Sequence, residues 1–163
     1  MSLLKHAPGR SRVIIENLSP TIDGGKYPVK RVLGDATEFR VHAFADSHDL
    51  ITVDFCHRRK GAKDWVRAAM HDDGNDEWTY TFQPWEIGLY EYTVIACIDH
   101  FGSWRDGFGK KLASSEPIDI ELLIGSEIVL AAAGRAKGDN KKRLKEYGNL
   151  LKDTTRSDRE RID

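Results

Sequence analysis

Sulfur chemistry is nearly absent from this chain of 163 residues: two cysteines, Cys56 and Cys97, are too few for a disulfide scaffold or a structural zinc site. Neither sign of charge dominates. With 25 basic against 26 acidic residues, the chain lacks the basic footprint of a nucleic-acid binder and the cluster of a polybasic membrane anchor. No apolar run approaches the roughly 18 residues of a spanning helix, and Met1 to Gly9 lacks the apolar stretch of a secretory signal. The expectation is a cytoplasmic protein without membrane or nucleic-acid partners. Catalytic motifs are missing as well: there is no G-x-S-x-G elbow, no H-E-x-x-H and no paired C-x-x-C. The histidines at 6, 42, 48, 57, 71 and 100 show no metal-ligand spacing, so neither a metal nor a cofactor is expected. Gly102 to Gly107 has the glycine spacing of a phosphate loop, but Phe108 stands where such a loop requires lysine.

What is present is a foldable chain, 40% hydrophobic, whose pattern from Arg12 to about Leu112 is that of β-structure. Val13-Ile14-Ile15 reads as a strand ended by Ser19-Pro20, and Ile22-Asp23-Gly24-Gly25 as a turn. Tyr27-Pro28-Val29 reads as the opening of a second extended run, confined to a sheet edge because Pro28 has no donor for the ladder. Glu38 to Phe44 and Ile51 to Phe55 alternate cleanly. Asp72-Asp73-Gly74-Asn75-Asp76 is the strongest hairpin turn, followed by the alternating run Glu77 to Phe82. Gly88 introduces a long strand from Leu89 to Asp99. Short strands at this spacing predict an antiparallel sandwich. Cys56 and Cys97 are both out of phase with their strands' strongest apolar residues, which directs them away from the main core as two free thiols.

Past Ser114 the pattern turns helical. A helix is expected over at least the second half of Glu116 to Arg135, while Pro117 to Ile124 reads either as its first turns or as a last strand. Gly138-Asp139-Asn140 breaks the chain, and Asp139 is placed to cap a second helix with Leu144, Tyr147 and Leu151 on one face. The division is therefore a leader without expected order over 1–11, a sandwich over 12–115, and a helical segment over 116–163. Trp65 and Trp78 read as packing residues, and Trp85 as a plug at one sandwich end. The loop Asp99-His100-Phe101-Gly102-Ser103-Trp104-Arg105 gathers ring, cation and carboxylate after a strand. Asp99, His100, Trp104 and Arg105 are thus the candidate binding or interface residues, with an anchored structural loop as the alternative. Tyr90 and Tyr92 are expected to be structural, hydrogen-bonding back to the preceding corner.

Several linked motifs carry a resemblance. Arg12 to Asn17, Pro20, Ile22 to Gly25 and Tyr27 to Arg31 come first; Phe44-Ala45-Asp46, His48-Asp49 and Asn75-Asp76 with Trp78 follow. Gly88 to Val94, Asp99-His100-Phe101, Ser103-Trp104-Arg105, Glu121-Leu122-Leu123 with Gly125, and Ala131 to Ala136 complete the set. In this order they resemble the N-terminal region of the GlgE-type maltose-1-phosphate maltosyltransferases of the α-amylase superfamily (glycoside hydrolase family 13). The resemblance implies a mainly β fold: an immunoglobulin-like sandwich followed by two α-helices that begin an inserted helical bundle. It also implies a cytoplasmic, homodimeric, retaining enzyme that moves maltosyl units from maltose 1-phosphate onto α-1,4-glucans such as glycogen. Both substrates are then bound mainly by a separate catalytic barrel. That barrel takes about 250 residues, more than this chain has, so the chain reads as a fragment with no catalytic residue of its own. Its expected tasks are dimerisation and framing of the active site. The alternatives are a glucan-binding sandwich module, whose binding Trp104→Ala would abolish, and a free-standing scaffold.

Overall fold

The computed structural model describes residues 12–162; the leader expected over 1–11 lies outside them. Two compact units follow one another, one ending at Ile98 and the other starting at Asp99.

The first unit is the sandwich. Its strands are β1 (Val13–Ser19), β2 (Thr37–Ala45), β3 (Ile51–Arg59), β4 (Val66–Ala69), β5 (His71–Gly74), β6 (Glu77–Phe82) and β7 (Tyr90–Ile98). They form two antiparallel sheets, ordered β1-β2-β6-β5 and β4-β3-β7. Alternation decides which side chains enter the core. Phe39, Val41 and Ala43 point inward from β2, and Val53 and Phe55 from β3, with Met70 and Phe82 completing the buried set. Phe39 and Phe55 meet across the two sheets with ring centroids 4.5 Å apart. The hairpin between β5 and β6 turns as its sequence requires: Gly74, Asn75 and Asp76 all have positive φ, and Asp72 Oδ1 accepts the Gly74 N–H at 2.8 Å.

One expectation for this unit needs correction. No strand opens at Tyr27-Pro28-Val29; a single bridge joins Tyr27 to Ile22, and the chain then runs irregularly to Thr37. Pro28 lacks the N–H that would continue the ladder. Cys97 is exposed as its phase requires, but Cys56, although opposite Val53 and Phe55, has no solvent exposure. It lies on the central strand of its sheet, between Arg67 of β4 and Thr93 of β7. Both thiols are free. β7 closes the outer side of that sheet. Every one of its residues keeps some exposure, although Tyr90, Tyr92, Val94 and Ala96 pack against the core.

The second unit holds four helices, α1 (His100–Ala113), α2 (Asp119–Arg135), α3 (Gly138–Leu151) and α4 (Asp158–Ile162), where two were expected. The segment from Asp99 to Arg105, read as a loop, is the N-cap and the opening turns of α1. Pro117 to Ile124 resolves as the approach to α2 and its opening turns, not as a strand. Asp139 does not cap α3; Lys137 occupies that position without a side-chain cap, and Asp139 lies in the first turn, where its charge suits the helix dipole. The face of α3 that packs on α2 also differs from the expected stripe. Gly148 is buried and Tyr147 is exposed, because Gly148 lies so close to Leu130 of α2 that a Cβ there would come within 2.6 Å of Leu130 Cγ.

Candidate functional site

Each candidate residue after β7 has a definite place. Asp99 is the N-cap of α1: its Oδ1 accepts the Gly102 N–H at 2.8 Å, and its backbone carbonyl accepts the Ser103 hydroxyl at 2.8 Å. Trp104 points into the packing between α1 and α2. Its indole N–H donates to the Glu121 carbonyl at 2.7 Å, and its ring stacks on Phe108 with centroids 5.4 Å apart. Gly125 of α2 makes room for that ring, since a Cβ there would fall 2.1 Å from Trp104 Cζ2. Lys111 pairs with the Glu121 carboxylate on the same pair of helices, which lowers the carboxyl pKa and raises that of the ammonium. His100 and Arg105 are exposed, and the Arg105 guanidinium lies 5.9 Å from the Phe101 ring centroid. The four residues therefore share a helix start but do not converge on one point.

Tyr90 and Tyr92 each anchor a turn of the sandwich. Tyr90 Oη donates to the Glu86 carbonyl at 3.3 Å, four residues upstream, and Tyr92 Oη donates to the Pro20 carbonyl at 2.6 Å. Burial pushes the Tyr92 phenol above its ordinary range.

The two tyrosines also border a feature that sequence reading missed, an open cavity of about 200 Å³ at one end of the sandwich. Its floor is made by core rings, including Phe39, Phe55 and Phe82, and its mouth by residues of the 28–33 and 84–89 segments. The mouth is unusually apolar for loop sequence: Leu33, Ile87 and Leu89, which line it, are all exposed. The signal available in sequence was the set of large apolar residues between Pro28 and Gly34 and between Pro84 and Tyr90, outside any alternating run. Deeper on the same side, His57 is buried against Phe82, with centroids 4.4 Å apart, and its Nδ1 has no hydrogen-bond partner among the described residues. Burial lowers its pKa. Among the described residues no group of three or more His, Cys, Asp or Glu stands close enough to hold a metal ion, and no helix is long and apolar enough to cross a membrane.

Taken with the strand order, these features define an immunoglobulin-like sandwich domain that runs from its last strand directly into a helical unit. A sequence model of the alpha-1,4-glucan:maltose-1-phosphate maltosyltransferase domain N/S matches residues 11–163, and the chain belongs to that family. The match reaches past Ala136, where the motifs of the resemblance end. Relatives named alpha-1,4-glucan:maltose-1-phosphate maltosyltransferase include one from Chlorobaculum tepidum, 41% identical over 143 residues, covering 88% of this chain and 21% of the relative. Others come from Methylacidiphilum infernorum, 37% identical with 72% and 18% covered, and Salinibacter ruber, 34% identical with 82% and 21% covered. The chain thus spans about a fifth of the length of the curated relatives it matches.

Proposed function

We propose that this chain serves as the non-catalytic N-terminal part of a maltosyltransferase that moves maltosyl units from maltose 1-phosphate onto α-1,4-glucans. Its tasks in this reading are dimerisation and framing of the active site. The observation that carries the reading is the family match over 11–163, together with the chain's share of about one fifth of its relatives. Retaining transfer between sugars uses a nucleophilic carboxylate and an acid/base carboxyl about 5–5.5 Å apart. In an α-amylase-type enzyme both stand on a barrel of about 250 residues, which fits in the remaining four fifths of such a relative and not in this chain. A cytoplasmic homodimer with its donor and acceptor bound mainly on that barrel completes the proposal.

The use of Asp99 as a helix cap and of Trp104 as a packed ring supports framing over sugar binding, since a glucan site needs flat rings open to the ligand. The test incubates the purified chain with maltose 1-phosphate and maltohexaose and follows phosphate release. No release above the buffer rate is expected. Release that co-purifies with the chain to homogeneity overturns the non-catalytic reading.

A further inference from the structure

The sandwich-end cavity has a shape and a charge that together specify an occupant. Its volume of about 200 Å³ exceeds the roughly 150 Å³ apolar cavity that holds a benzene molecule. One phenylalanine-sized or leucine-sized side chain therefore fits. The walls are tied to one another. Gly34 N–H donates to the Pro84 carbonyl at 3.3 Å, Gln83 Nε2 donates to the Gly34 carbonyl, and Arg59 holds both the Glu86 carboxylate and the Ile87 carbonyl. The opening is thus preformed, which lowers the ordering cost of binding. Around it the lining residues Leu33, Ile87 and Leu89 are 46%, 83% and 47% exposed, an apolar rim of the kind that excludes water from a central anchor.

Charge at the mouth is asymmetric. Glu86 is neutralised by Arg59. Arg31, which also lines the cavity, has no carboxylate within ion-pair distance among the described residues; its guanidinium donates only to the neighbouring Lys30 carbonyl, at 2.8 Å. Inside, the buried Thr37 hydroxyl has no hydrogen-bond partner among the described residues. A partner that complements this surface presents a large apolar side chain next to a carboxylate. We infer that the cavity is a docking socket for a protein segment bearing one large apolar anchor beside an acidic residue. The inference rests on the proposed framing role only in taking that segment to belong to the larger enzyme.

The probe is the peptide acetyl-Asp-Phe-Asp-amide, titrated into the whole chain while the methyl resonances of Leu33, Ile87 and Leu89 are followed by NMR. Saturable shifts at these methyls are expected, with acetyl-Lys-Phe-Lys-amide binding at least fivefold more weakly. The exposed substitution Arg31→Glu is expected to reverse that order while leaving the thermal melt unchanged. Absence of saturable shifts, or equal binding of the two peptides, overturns the socket. Sedimentation of the chain without peptide separates this inference from dimerisation. A monomer that binds the acidic peptide keeps the socket and removes self-association through this chain; a dimer that ignores the peptide does the reverse.

Discussion

At Trp104 a single side chain joins two helices by two means, an N–H donated to the Glu121 carbonyl and close contact with Gly125, and also stacks on Phe108 of its own helix. Replacing it with alanine removes all three and opens a cavity, at a cost of roughly 3 kcal/mol. Trp104→Ala should lower the urea midpoint of the helical signal and leave maltoheptaose affinity unmeasurable, as in the parent chain. A sugar-dependent fluorescence change that disappears in the variant would contradict this. His57 makes a second residue-scale prediction. Burial holds its folded pKa below the ordinary imidazole value, so near that value the unfolded chain binds more protons than the folded one. Its contribution is complete above about pH 6.5 and declines as pH falls toward the folded pKa. Denaturant midpoints should therefore fall between about pH 7.5 and 5.5, and His57→Phe should flatten that part of the slope.

Among the elements, α2 depends on small residues where neighbouring helices cross. Gly125 admits Trp104, and Ser126, fully buried, donates to the Gly148 carbonyl of α3 at 2.6 Å. Gly125→Ala gains intrinsic helix propensity, about 1 kcal/mol. It also drives a Cβ into the Trp104 ring at 2.1 Å, and overpacking of this kind costs typically 1–3 kcal/mol. The variant should melt below the parent chain despite the better helix former. Strand elements were readable from sequence because alternation is local: Glu38 to Phe44, Ile51 to Phe55 and Glu77 to Phe82 each announced their faces. The first helix was not. Gly102, Gly107 and Gly109 depress its local propensity, and its stability comes from α2, which lies beyond any short window. The start of the last helix is legible: Ser157 followed three residues later by Glu160 has capping-box spacing, and the Ser157 N–H donates to the Glu160 carboxylate at 2.9 Å. Its buried Arg161 then reaches Asp119 at 3.0 Å, a pairing across 42 positions that sequence does not reveal.

For the whole molecule, family membership was legible because motifs spread from Arg12 to Ala136 keep a fixed order, which no single loop provides. The sandwich-end cavity was not legible, because it arises where irregular segments pack over core rings, and nothing in the periodicity of 28–33 or 84–89 says that they meet. The candidate cluster after β7 failed to converge for a related reason: on a helix Arg105 stands about 100° around the axis from Trp104, and Trp104 is taken up by packing against α2. β7 itself has a further consequence. Its nine residues, Tyr90 to Ile98, are rich in strand formers and include one charge, Glu91; such a segment at a sheet margin matches the composition that stacks into cross-β fibrils. The side chains that complete the native core thus also set the hazard of fibril growth when the chain is heated. Glu91, held by Arg58 at 2.7 Å, is the single charge in that run, so Glu91→Val should speed fibril growth on heating, followed by thioflavin fluorescence.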